Sequence, residues 1–96
     1  MEKLTVFEIN KELETLLDWD YLEDALQTDF EFNSFKDCIS AMTRIAFECE
    51  ALNHHPEWTN NNNTLDIKLT THSAGGVTKL DIKLARIINK IIEVED

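Results

Sequence analysis

Two of the three histidines in this chain stand side by side in Glu50-Ala51-Leu52-Asn53-His54-His55-Pro56-Glu57-Trp58. The third, His72, follows Thr70-Thr71. Imidazole exchanges protons near neutral pH, with a free value of about 6.5, so these side chains suit general acid–base work that needs no cofactor. Glu50 lies four residues before His54, one helical turn back on the same face. A carboxylate so placed can hold the ring and fix which nitrogen carries the proton. His72, at the mouth of a strand, could reach the same pocket as His54. The plainer alternative is that two or three of these histidines only hydrogen-bond at a surface.

Other chemistries find less support. His54 and His55 are adjacent, so in extended backbone they point to opposite faces, and neither cysteine has the spacing of a zinc partner; no metal is expected. Cys38 and Cys49 fall on one predicted helix, roughly 16 Å apart along its axis, too far for a disulfide. Both sit on its apolar stripe, where a thiol is a small inert hydrophobe, and a reduced, cytoplasmic setting is expected. Carboxylates are so abundant that any pair would match glycoside hydrolysis, which leaves that signal empty.

Positioning the histidine pair falls to the longest periodic segment. Ser34 caps a helix with Asp37 three residues on, and Phe35, Cys38, Ile39, Met42, Ile45, Ala46, Cys49 and Leu52 follow at helical spacing. Pro56 disfavours helix at His55, so the segment ends near Asn53 or His54. An earlier helix opens at Thr5, with Glu8 in the reciprocal capping position, Leu4 stapled onto Ile9, and a stripe of Ile9, Leu13, Leu16 and Leu17. Between them, Trp19 to Phe32 predicts two strands about a turn near Glu23-Asp24, or else a helix running on through Leu22. Asn60 to Asn63 reads as a loop, and Leu65, Ile67 and Leu69 alternate as a strand covered on one side. Gly75-Gly76 permits a sharp turn or close approach to a ligand. Thr78 caps the last helix with Asp81 completing the box. From Leu80 to Val94 its apolar residues cover more than one face, and the expectation is that part of them meets another subunit.

Ninety-six residues make one small domain, residues 1–96, with 19 acidic against 9 basic residues and a net charge of −10. That balance repels a phosphate backbone, so direct nucleic-acid binding is not expected. The sequence carries no signal-peptide pattern and no apolar run of membrane-spanning length.

Glu50-x-x-x-His54-His55-Pro56-Glu57-Trp58, followed by Thr71-His72, Gly75-Gly76 and Asp81-x-x-Leu84-Ala85, resembles the pterin-4a-carbinolamine dehydratase family. The match is specific from about Phe47 to Ala85, and the capped first helix, the tryptophan and Phe30-x-Phe32-x-x-Phe35 extend it over nearly the whole chain. The resemblance implies an α+β fold, a four-stranded antiparallel sheet with three helices on one face in the order α-β-β-α-β-β-α. Little room remains between Leu69 and Thr78 for a fourth strand, which must sit among Thr70 to Ser73 or belong to a shorter second hairpin.

Similarity also implies the reaction, loss of water from 4a-hydroxytetrahydropterin to give the quinonoid dihydropterin, with no cofactor. His54 and His72 would form the acid–base pair, with His55 holding the ring and Glu50 steadying the histidine one turn on. Substrate contacts would come from Asn53, His54, His55, Trp58, Thr70, Thr71, His72, Ser73 and Asp81, with backbone groups of Thr70 to Ser73 meeting the pterin's amide edge. The family relation further implies a homodimer or homotetramer, and a competing role as a non-catalytic interaction module that binds a protein partner through its helices. Three positions depart from the family pattern. Asn62 stands where relatives place an aromatic residue that could line the pocket, Asn53 replaces an aspartate, and Leu80 occupies a position that is often arginine.

Overall fold

Thr5 and Ser34 open their helices through their own side chains. The Thr5 hydroxyl accepts from the Glu8 backbone N–H at 3.1 Å while the Glu8 carboxylate accepts from the Thr5 N–H at 2.8 Å. The Thr5 backbone N–H, and after it the Thr5 hydroxyl, hold the Glu8 carboxyl below its ordinary value. Ser34 accepts from the Asp37 N–H at 3.1 Å. The computed structural model describes residues 1–95, with side chains through Glu93. Its elements are α1 (Val6–Leu13), β1 (Asp20–Leu22), β2 (Ala25–Glu31), α2 (Phe35–Leu52), β3 (Glu57–Asn61), β4 (Thr64–Leu69) and α3 (Lys79–Glu95), with a 3-10 turn at His72–Ala74 before α3.

The fold is α+β. All strand pairs are antiparallel and the sheet order is β1-β2-β4-β3. Period-two alternation then separates the faces. Leu26 pairs with Leu69, Thr28 with Ile67 and Phe30 with Leu65 on the side that the helices cover. Gln27 with Lys68 and Asp29 with Asp66 stand on the open side. The core between sheet and helices gathers Ile9, Leu16, Leu26, Ile45, Leu65 and Leu84, all essentially buried.

The structure revises or decides four expectations. The first helix stops at Leu13, not near Leu17, and Leu17 is exposed. The chain leaves the helix so that Trp19 can dock, its ring set edge-on to Phe30 and its indole N–H donated to Asn89 at 2.8 Å. Second, the missing strand lies upstream of Leu65 rather than after Leu69. Asn60 and Asn61 belong to β3, and only Asn62 and Asn63 turn the hairpin. Asn62 supplies the left-handed φ of 54°, which asparagine tolerates. Third, a two-residue turn at Glu23-Asp24 does join two strands, which disposes of the helical alternative. It puts both residues at positive φ, 51° and 60°. Tyr21 Oη donates to the Asp24 carboxylate and Thr70 Oγ1 to the Asp24 carbonyl, holding a turn that lacks glycine.

The fourth change concerns α3. Ile82, Leu84, Ala85, Ile88, Ile91 and Ile92 are all buried within one chain. The helix packs against α2 and is tied to the α1–β1 connection through Asn89, so several of its sides are covered without a second subunit. Val94 lies outside the described side chains.

Candidate active site

The end of α2 sets the first part of the site. His54 N–H donates to Cys49 O and Asn53 N–H to Glu50 O, the two bonds of a Schellman ending, with Asn53 in the left-handed conformation at φ 52°. Asn53 therefore has a backbone task where the sequence comparison noted a lost charge. His54 leaves this turn directed into the protein, and its side chain is only 10% exposed.

What meets it is Asp81, not Glu50. His54 Nε2 lies 2.5 Å from Asp81 Oδ1. The other carboxylate oxygen accepts from the Thr78 backbone N–H and the Thr71 hydroxyl, each at 2.8 Å. Thr78 Oγ1 lies 2.9 Å from Thr71 Oγ1 and accepts from Leu80 N–H, closing the network. With Thr78 and Thr71 both donating to it, Asp81 is an acceptor at its remaining oxygen. The proton of His54 therefore sits on Nε2, and Nδ1 is left to give or take a proton. Asp81, expected among the substrate contacts, is at 0% exposure and stands behind His54. It caps α3 and orients an imidazole with the same carboxylate.

Glu50 is 3.7 Å from His55, both well exposed, and so belongs to the second imidazole rather than the first. The reason is geometric. One turn of helix separates Glu50 from His54 in sequence, but the left-handed Asn53 swings His54 inward and leaves His55 outside. His72 Nε2 in turn lies 3.1 Å from Glu57 Oε1, on the first residue of β3. Each of the three histidines thus has a carboxylate neighbour, one pair buried and two exposed.

The helix exit and the segment after β4 are joined twice, by Thr71 to Asp81 behind His54 and by His72 to Glu57 beyond it. Thr71 N–H bonds to Gly76 O at 2.9 Å, and its carbonyl accepts from Ala74, Gly75 and Gly76. Its peptide groups are spent inside the turn, and the Thr70 hydroxyl is spent on Asp24. Ser73 and His72 stand exposed on the 3-10 turn. Trp58, opposite Ile67, is half-buried and packs against the core.

A hollow of about 830 Å³ lies over the open side of the sheet, reaching Pro56, Glu57 and Trp58 beside the histidines, with Asp18, Asp20 and Asp66 further along. Asn62 turns the end of the β3–β4 hairpin opposite Glu57, about 15 Å away over the length of the strand. Within the chain it does not line the histidine region, so its replacement of an aromatic residue removes nothing from that wall. Leu80 is half-buried in the first turn of α3. Burial pushes the Cys49 thiol up to about 11 and raises Cys38 as well, so neither is a ready nucleophile.

The model of the family described as pterin 4 alpha carbinolamine dehydratase matches residues 2–91. The chain belongs to that family. A relative in Christiangramia forsetii, provisionally named a pterin-4-alpha-carbinolamine dehydratase, is 48% identical over 93 residues, 97% of this chain and 96% of its own. One in Opitutus terrae with the same provisional name is 47% identical, with 92% of each chain covered. The crystal structure titled transcriptional coactivator/pterin dehydratase from Brucella melitensis superposes with a TM-score of 0.91 at 41% identity, covering 94% of this chain and 98% of the other. The pterin dehydratases are hydro-lyases, and the order α-β-β-α-β-β-α implied by the resemblance is the order found here.

The sequence singles out Glu50 and Asp81 but gives neither its observed histidine neighbour, and it does not single out Glu57. Asp81 was legible as a helix cap, but its pairing with His54 needed one further signal. An aspartate amid Val77, Ile82, Leu84 and Ala85 must be buried and therefore must be answered by a donor.

Proposed function

We propose that this protein removes water from 4a-hydroxytetrahydropterin, with its histidines as general acid and base. The substrate carries a hydroxyl on C4a beside N5–H. One imidazolium gives a proton to the departing hydroxyl, which leaves as water, and a neutral imidazole takes the N5 proton as the C4a=N5 bond forms. Protons given and taken balance, so the pair keeps its total proton count; the two rings end with their states exchanged, and proton exchange with water resets them for the next turnover. The reading assigns these tasks to His54 and His72, with His55 holding the ring and Glu50 steadying His55. Asn53, Trp58, Thr70, Thr71 and Ser73 are placed around the substrate, and Asp81 acts through His54. Quinonoid dihydropterin is a substrate for reduction, so this chemistry belongs to tetrahydropterin recycling.

The observation that carries the proposal is the Thr71–Asp81–His54 chain of bonds. It fixes one imidazole's tautomer and draws the His72 segment to the same corner. A carbinolamine of this kind dehydrates unaided, so a few well-placed proton donors suffice. The test is the dehydration rate of freshly generated 4a-hydroxytetrahydropterin with wild type and with His54→Ala. A wild-type rate equal to background would sink the enzyme reading.

A second reading draws on α2. Phe35 and Ile39 are exposed on its outer face, and half-buried Met42 and exposed Ala46 continue the row at spacings of four, three and four. The Brucella melitensis relative is titled a coactivator as well as a dehydratase. This surface suits a homodimer or homotetramer, or a protein partner. Two buried free thiols suit a reduced, cytoplasmic compartment. No helix among the described residues is long and apolar enough to cross a membrane. A clean monomer by sedimentation at micromolar concentration would count against the oligomer.

A further inference from the structure

The seam between α1 and α3 is tied at both ends and open between them. At one end Leu4 N–H bonds to Val77 O at 2.8 Å. At the other, Arg86 donates to the Glu12 carboxylate at 2.7 Å and to the Thr15 carbonyl at 3.3 Å. Between the ties lies a hollow of about 460 Å³. Leu4 and Ile82 line it, and Phe7, 78% exposed, stands at its lip. A single exposed apolar side chain needs no explanation. Here the exposed ring borders a recess that already has apolar walls.

Charge distinguishes this recess from the rest of the molecule. Lys11, Lys79, Lys83 and Arg86 line it with only Glu8 and Glu12 among the acids, so its lining is net positive on a chain of net −10. Lys79, Lys83 and Arg86 stand four and three residues apart, one continuous basic row along α3. An apolar trough beside a basic row complements an amphipathic helix whose polar face is acidic.

We infer that the α1–α3 seam is a docking groove for an acidic amphipathic helical segment of a partner protein, which inserts an apolar side chain beside Phe7. The groove is separate from the outer face of α2 and from the histidines, and the inference does not rest on the dehydratase reading. The long acidic majority of the surface repels such a segment everywhere else and steers it to this row.

The probe is a fluorescein-labelled synthetic helix of about 15 residues with leucine and phenylalanine on one face and glutamate on the other. Its counterpart carries lysine in place of glutamate. Anisotropy should show binding of the acidic peptide only, weakened by raising salt from about 0.05 to about 0.5 M. Phe7→Ser and Lys83→Glu, both at exposed positions, should each cost about tenfold or more in affinity while dehydratase activity and folding stay as in wild type. Amide chemical-shift changes should cluster around Phe7, Ile82 and Lys83. Equal binding of the two peptides, survival of binding in both variants, shifts confined to α2, or tighter binding to phosphatidylglycerol vesicles than to the peptide would each overturn the assignment.

Discussion

His54 and Asp81, 27 positions apart in the chain, are bonded at 2.5 Å inside the protein. The carboxylate is answered by a backbone amide and a hydroxyl on its other side, so the histidine's Nε2–H has one place to go. This relation ties the last helix to the end of the central one.

Asp81→Asn turns its amide NH₂ either toward Thr78 N–H, a buried donor–donor mismatch, or toward His54, where the ring must shift its proton to Nδ1 in order to accept. The expected result is a fall in kcat of about 10²–10⁴-fold with KM little changed, because substrate contacts remain. The buried mismatch also costs about 1–3 kcal/mol, so kinetics are to be measured where circular dichroism shows the variant folded.

His72→Gln tests an exposed group. Its ion pair with Glu57 lies largely in water and contributes about 0–1 kcal/mol, so the urea midpoint should move little. Dehydration should fall by at least about 100-fold if the ring transfers a proton. Wild-type activity in this variant would remove His72 from the chemistry while leaving His54 in place.

Burial raises the Cys49 thiol from 9.0 to about 11, so the folded protein holds this proton more tightly than the unfolded chain does. The stability that this proton contributes is intact below about pH 9 and is lost as pH rises toward 11. Cys49→Ala should therefore show a shallower loss of stability across that window, the difference reaching at most about 3 kcal/mol. Urea titrations of both proteins at successive pH values give the slopes. Parallel slopes would mean that the thiol does not report burial.

Gly75 ends the 3-10 turn at φ 78°, ψ 22°, and an added Cβ would meet nothing within 4 Å. Gly75→Ala should lose about 1 kcal/mol through backbone strain alone, and Gly75→Asn less, since asparagine accepts the left-handed region. Denaturant midpoints with unchanged m-values check both.

Trp19 depends on Asn89 for its indole N–H, and Asn89 also donates to Leu17 O at 3.3 Å. Asn89→Ala leaves that donor without its partner and should destabilise the fold by about 1–3 kcal/mol. A loss much smaller than this would mean water replaces the amide.

Much of the architecture was decided by neighbours within a few residues, and that part was readable from the sequence. Thr5, Ser34 and Thr78 answer amides no more than three positions away, Pro56 forbids continued helix, and period-two alternation set Leu65, Ile67 and Leu69 on one face. The resemblance drawn from Glu50 to Ala85 supplied the family and the order of elements, because motif spacing is itself a property of the chain. Tertiary structure alone decided which carboxylate meets which histidine. A left-handed Asn53 sends His54 inward, Asp81 arrives from 27 residues on and Glu57 reaches His72 across 15. It also decided that α3 is covered within a single chain and that β3 begins immediately after Pro56. Local rules report what a residue can accept from its own turn; a buried carboxylate takes whatever donor the packing brings to it.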